Sequence, residues 1–272
     1  MPLSITKETN QYFGKYFENA ICSAINHTAF YNCTDYNDFT NEDIAIMNSD
    51  AEKVANFLNV SSAEWVGNHT STQNCDIIAD GNSIEIKYVS NGTGTYFNTT
   101  IYELEKYGFN LRTYMADFGL YDALIDNFSQ YGIKVSKTNK SPVSQTSSSI
   151  IRHQYAEIYK HNIIPIEQKM RQQFLLDLTK YFQYNTNELY HFLINMINKE
   201  TTTIVKNKPD QFIVYNYNTK TISKIDLIQI NMGNLTITLT DKGFIVGDIR
   251  VQIGWQNGNG LNNPTIRIFL KG

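Results

Sequence analysis

The sequence predicts an α/β fold with a helical middle and a β-rich C-terminal part. Apolar residues recur at helical spacing near the N-terminus, two strand-like runs flank a tight-turn signal at residues 80–82, and the texture after Thr201 turns to short alternating runs. The element order is helix, hairpin and helices, then a helical stretch, then strands.

Taken in order, Tyr12, Tyr16, Ala20 and Ala24 recur at i+4 beside Phe13, Phe17 and Ile21, which predicts one amphipathic helix from Glu8 to Asn26. Glu18 lies within it, flanked by apolar residues. In "NSDAEKVANFL", Ser49 and Glu52 stand at capping-box spacing, so a helix is expected from about Asp50 to Leu58. "SSAEWVGN" reads as a helical turn or a loop. "CDIIA" and "SIEIKYV" read as strands joined through "DGN". "NGTGTYFNTT" reads as a loop or a strained strand edge. "IYELEKYGF" and "YMADFGLYDALIDNFSQYG" read as helical, the second stopping at Gly132.

Residues 134–149 form a polar linker, basic at its start. From Ile150 to Phe182 the pattern is helical with an interruption near Pro165, and "NTNELYHFLINMINKE" supplies another helix. The expected strands after that are "TTTIV", "QFIVYNY", "TISKIDLI", "NLTITLT", "GFIVGDIRVQIGW" and "TIRIFLKG". This texture divides the chain into residues 1–131 (N-terminal helix and hairpin), 132–200 (linker and helices) and 201–272 (β-rich).

Composition narrows the function classes. Cys22, Cys33 and Cys75 are odd in number and lack CxxC spacing, which argues against a disulfide framework and a zinc site and for a reducing compartment. The opening "MPLSITKETNQYFGKYFE" has no long apolar core and no stretch approaches about 18 consecutive apolar residues, so a cytoplasmic protein without a membrane span is expected. The five histidines, His69 near the hairpin included, show no HExxH spacing. GxSxG and GxxxxGK[ST] are absent, and "NGTGT" lacks the third glycine of a dinucleotide fingerprint. Serine hydrolase, NTPase and dehydrogenase readings therefore drop out. The net charge of −3 hides an asymmetry: residues 1–131 hold 6 Lys/Arg against 17 Asp/Glu, and residues 132–272 hold 17 against 9. A basic C-terminal half is compatible with a polyanionic partner.

The chemistry concentrates in "CDIIADGNSIEIKYV". Alternation places Ile84, Ile86 and Tyr88 on one strand face and Glu85 and Lys87 on the other, with Cα atoms two apart at about 6.5–7 Å. Asp76 can reach the same region across the hairpin. Two carboxylates and a backbone carbonyl, that of Ile86, are the hard oxygen donors that Mg²⁺ prefers, and a lysine beside them can serve a water or a charged phosphate. Glu-x-Lys also occurs on the wet face of half-buried sheets, so these residues alone leave a solvated strand open.

The pattern resembles the PD-(D/E)XK nuclease superfamily, in which an acid on one strand precedes (D/E)xK on the next. Here the acid is Asp76, preceded by Cys75 in place of the usual proline, and the triplet is Glu85-Ile86-Lys87. The resemblance implies a mixed central sheet flanked by helices and Mg²⁺ held by Asp76, Glu85 and the Ile86 carbonyl. It also implies Lys87 at the attacking water, and Glu18 on the N-terminal helix as an accessory acid. "KYVSNGTGTYFNTT" is similar in wording to type II restriction endonucleases, which would place Ser90, Asn91, Thr95, Tyr96 and Asn98 near DNA. Those enzymes usually act on double-stranded DNA as homodimers, alongside a DNA methyltransferase. The resemblance covers roughly residues 8–131.

Elsewhere, Arg250, Gln252, Gln256, Asn257 and Arg267 are residue types that read base edges, Trp255 could stack, and Lys134, Lys137 and Lys140 could meet phosphates. The expectation is a site-specific, Mg²⁺-dependent deoxyribonuclease. The alternatives are a structure-specific repair nuclease and a non-catalytic nucleic-acid or carbohydrate-binding protein.

Overall fold

The computed structural model describes residues 10–30, 39–67, 75–90, 94–139, 141–202, 208–255 and 264–271. The protein is mixed α/β, with two five-stranded sheets and eight α-helices among the described residues. It divides into two compact units. Unit 1 comprises residues 1–96, 195–231 and 269–272, and unit 2 comprises residues 97–194 and 232–268. This interleaving differs from the consecutive division that the sequence texture suggests. The reason lies in pairing: a strand from beyond residue 210 joins the N-terminal hairpin.

In unit 1, helix α1 (Asn10–Ile25) and helix α2 (Asn41–Leu58) pack against a sheet. Its strands are β1 (Ala63–Trp65), β2 (Ile77–Ala79), β3 (Asn82–Val89), β5 (Gln211–Asn216) and β6 (Thr221–Ile225), in the order β1-β2-β3-β5-β6. The β2–β3 hairpin turns through Asp80 and Gly81, at φ of 45° and 81°. Two successive positive φ angles are what the expected Asp-Gly turn requires. β3 and β5 are parallel, with Glu85 opposite Phe212 and Lys87 opposite Val214, and the other pairs are antiparallel. The core joins Phe13, Phe17 and Ile21 of α1, Met47, Ala51 and Val54 of α2, and Ile77, Ile84, Ile86, Ile213 and Tyr215 of the sheet. The face of β3 bearing Ile84 and Ile86 is thus the packed one, and Glu85 and Lys87 point the other way.

Helix α2 begins nine residues before the expected Asp50. Thr40 accepts a hydrogen bond from the Asp43 amide, and the Asp43 carboxylate accepts one from the Thr40 amide. That is the capping box in use, and it leaves Ser49 inside the helix. Asp50 is freed for another task. Buried at 1% exposure, its carboxylate accepts from Tyr215 Oη at 2.6 Å, Tyr88 Oη at 3.1 Å and Lys220 Nζ at 2.8 Å. This fastens α2 to β3, β5 and the β5–β6 turn.

In unit 2, strands β4 (Phe97–Thr100), β7 (Ile237–Thr240), β8 (Gly243–Val246), β9 (Ile249–Trp255) and β10 (Pro264–Leu270) form a sheet in the order β4-β10-β9-β8-β7. Helices α3 (Leu111–Asp117) and α4 (Leu120–Phe128) replace one expected helix, broken at Gly119 with φ 69°. The expected stop at Gly132 has φ 76°. "IYELEKYGF" folds as a 3₁₀ turn over Ile101–Tyr107. Helices α5 (Gln145–Gln154) and α6 (Ala156–Ile158) lead through a π turn at Tyr159–Ile163 into α7 (Ile164–Tyr184), so the interruption falls just before Pro165. Helix α8 (Thr186–Ile197) follows. "TTTIV" is not a strand at Thr201 and Thr202, and its remainder lies outside the described residues. Among the described residues no helix is long and apolar enough to cross a membrane.

Candidate active site

Asp76 sits just before β2, where its backbone is pinned on both sides. Its amide donates to Ile84 O, and its carbonyl accepts from the Val66 and Gly67 amides at 3.0 and 2.9 Å. Asp76 Oδ2 accepts from the Ile86 amide at 2.7 Å. The carboxylate is therefore aimed along β3 toward Glu85 and Lys87.

Lys87 Nζ lies 2.6 Å from Glu85 Oε1 and 3.5 Å from Asp76 Oδ2. The two carboxylates of the hairpin thus converge on the Lys87 ammonium. Gly94 explains why the glycine-rich stretch follows them. A Cβ there would stand 2.7 Å from Lys87 Cβ and Cγ, so only glycine lets the backbone pass so close to the lysine stem.

Glu18 is buried on α1, and Trp65 Nε1 donates to its Oε2 at 3.2 Å. Burial, then the nearby Asp76 charge, raises its carboxyl to about 8 against the pull of Lys87 and Trp65. Asp76 is likewise raised by burial, with Lys87 pulling the other way. Burial also opposes charge on Glu85, but Lys87 and Lys199 outweigh it and hold that carboxyl below its ordinary range. Burial pulls Lys87 down, and Asp76 and Glu85 more than compensate, so its ammonium is firmly held. The site is a graded set: one stabilised carboxylate, two reluctant ones and a fixed cation.

Lys199 was not anticipated. Just beyond α8, it sits at φ 56° and donates to Glu85 Oε2 at 2.6 Å. Only 4% exposed, it gives Glu85 a second cationic partner. Its position follows from the helix end: the Lys199 amide bonds Met196 O and the Glu200 amide bonds Asn195 O, a left-handed closure that glycine usually supplies. No local spacing marks such a lysine in the sequence.

Among the described residues, no group of three or more His, Cys, Asp and Glu side chains could hold a metal ion. The donors that fit a hard divalent cation are Asp76, Glu85 and the Ile86 carbonyl, two carboxylates and a backbone oxygen. The one structural sign of such a role is that both carboxylates already share a cation, the Lys87 ammonium.

The other expected contacts scatter. Tyr96 is buried at 2% exposure, with its ring on Phe212 and its hydroxyl donating to Ile197 O at 2.7 Å. It is a core residue, held by that ring contact and hydrogen bond just before β4 begins, and it offers no surface for DNA. Ser90 and Thr95 are half-buried, and Asn98 is exposed on β4 opposite Arg267. Lys134 is exposed, and Lys137 pairs with Asp122 at 3.1 Å. Arg250 is exposed on β9, and Gln252 and Arg267 line one pocket of unit 2. Asn91, Lys140, Gln256 and Asn257 lie outside the described residues, as do the Trp255 side chain, His69 and Cys33. Cys22 and Cys75 are free, buried thiols, pushed up by burial to about 12 and about 11.

Compared with protein-family models and with curated proteins, the chain matches none of them.

Proposed function

We propose that this chain is a Mg²⁺-dependent DNA endonuclease of the type II restriction kind, built on a PD-(D/E)XK core. The observation that carries this reading is the meeting of Asp76 and Glu85 at the Lys87 ammonium. Their setting supports it: an antiparallel β1-β2-β3 meander with the parallel strand β5 beside β3. A solvated strand face, the bland alternative, is disfavoured because Glu85 is 8% exposed and engaged by two lysines.

Asp76, Glu85 and the Ile86 carbonyl would hold Mg²⁺, which when bound supplies Lewis-acid activation of water and phosphate. The residues do the rest. Asp76 is oriented by the Ile86 amide, and Glu85 is fixed between Lys87 and Lys199. Lys87, kept charged, would orient the attacking water and offset charge growing on the phosphate. Glu18, its carboxyl raised to about 8 by burial, would act as an accessory acid, its orientation set by the N–H that Trp65 donates to Oε2. On this reading the enzyme works in the cytoplasm as a homodimer whose two-fold axis matches a palindromic site, and a cognate methyltransferase protects host DNA.

Incubating phage DNA with the protein in Mg²⁺ or EDTA tests the reading. Discrete fragments in Mg²⁺ and intact DNA in EDTA are expected. Smearing or junction-only cutting would move the protein to the structure-specific nucleases. Binding without cutting would favour a non-catalytic role, with Glu85 and its lysines as a structural ion cluster.

A further inference from the structure

Unit 2 holds a pocket of about 410 Å³ whose lining includes Arg152, Arg171, Lys242 and Arg267, together with Glu167 and Gln252. The unit as a whole is nearly balanced, with 13 Lys/Arg against 11 Asp/Glu. Four cations facing one carboxyl is therefore a local concentration, made where α5, the start of α7, the β7–β8 turn and strands β9 and β10 come together. Among the described residues, no ion pair engages Arg152, Lys242 or Arg267.

A second observation points to a ligand. Among the described residues, three buried side-chain polar atoms lack a hydrogen-bond partner, and two of them, Arg152 Nε and Glu167 Oε1, belong to this pocket. Glu167 is only 5% exposed, and its other oxygen accepts from Tyr159 Oη at 3.0 Å. Orphaned buried donors and acceptors are costly and call for an explanation. Burial raises the Glu167 carboxyl to about 7, against Tyr159, Arg171 and Arg152. Below that pH it is a donor, so both orphaned groups can present hydrogens to an anion. The π turn at Tyr159–Ile163 falls between Arg152 and Glu167. Such bulges recur at functional sites.

We propose that this pocket binds the phosphate group of a nucleotide unit, with Arg152, Arg171 and Arg267 donating to its oxygens and Lys242 balancing the remaining charge. Planar guanidinium groups match phosphate oxygens two at a time. A lone carboxylate ligand would need one such group, and the excess of cations here suits a phosphate. The volume lies within the roughly 300–1,000 Å³ of small-molecule sites, so sugar and base can follow the phosphate in. Gln252 supplies an amide for them. The proposal stands on unit 2 alone and does not depend on DNA cleavage.

The test titrates inorganic phosphate, dAMP and a short labelled duplex into the full chain without divalent metal, at several salt concentrations. A Lys242→Gln/Arg267→Gln double variant removes two cations, Arg152→Lys keeps charge but drops the Nε donor, and Lys180→Gln is a control outside the pocket. The double variant is expected to weaken the phosphate-bearing probe about tenfold and Arg152→Lys several-fold, with the control unchanged. Loss for phosphate and dAMP identifies a free nucleotide as the source. Loss for duplex alone, with the salt slope falling by about 2, identifies the nucleic-acid backbone. The proposal is overturned if wild type binds none of the three probes, or if neither pocket variant weakens any of them more than the control does.

Discussion

Lys199 and Glu85 stand 114 residues apart in the chain and meet as a buried ion pair at 2.6 Å. The pair holds a loop just past α8 against the middle of β3 and leaves Glu85 bridged between two lysines. Removing one partner of a buried pair costs about 3–5 kcal/mol where it leaves a charge uncompensated. Lys199→Ala leaves Glu85 with Lys87, so it should lower unfolding stability by less, about 1–3 kcal/mol, read from the urea midpoint. In a double-mutant cycle with Glu85→Gln, most of that loss should disappear. An additive double variant would show that the pair is not coupled.

Gly94 sets the position of Lys87. In Gly94→Ala the new Cβ would stand 2.7 Å from the lysine stem, so the lysine must move. Displacement by about 1 Å can lower a rate about 100-fold, while overpacking costs about 1–3 kcal/mol. Cleavage of about 1% of wild type in a protein that still melts cooperatively is expected. Full activity would mean that the lysine need not stand where it does.

Asp50 carries an acid dependence. Burial pushes its carboxyl up, but hydrogen bonds from Lys220, Tyr215 and Lys53 outweigh this and hold it below the ordinary 3.8. A depressed folded-state value gives stability that is complete above the unfolded value and fades as pH falls through the folded one. The gap between wild type and Asp50→Asn should be about 2–4 kcal/mol at neutral pH. It should close below about pH 3.8. Denaturant titrations along the acid limb check it, and a gap unchanged with pH would contradict it.

Glu167 gives the opposite sign. Burial raises its carboxyl from 4.5 to about 7, with Arg152, Arg171 and Tyr159 facing it. The folded state then holds the proton more tightly than the unfolded chain, so wild type loses stability as pH rises between those values. Glu167→Gln, which does not titrate, should become the more stable protein by about 2–3 kcal/mol above pH 7. Matched melting curves at pH 5 and pH 8 decide it, and an equal difference at both would rule it out.

What the sequence disclosed follows from the range of each interaction. The hairpin was legible because Asp80-Gly81 writes its turn locally, and alternation along "SIEIKYV" placed Glu85 and Lys87 on one face. The start of α2 is ambiguous in the sequence because two capping-box spacings, Thr40–Asp43 and Ser49–Glu52, compete, and Thr40–Asp43 is the one in use. The parallel pairing of β3 with β5 leaves no turn between the strands to read. Lys199 and Arg152 were invisible for a related reason: a single cation has no pattern, and its meaning comes only from partners brought by the fold. Tyr96 looked like a surface contact in a threonine-rich stretch, and only packing against Phe212 shows it to be core.

Asp76, Glu85 and Lys87 are proposed as a metal-dependent cleavage centre. Its most direct measurement is fragment formation from phage DNA in Mg²⁺ by wild type, Lys87→Ala and Asp76→Ala, each first shown to be folded by its melting transition. Discrete fragments from wild type and at least a roughly 100-fold lower rate from either variant are expected. Cutting by both folded variants at the wild-type rate would contradict it.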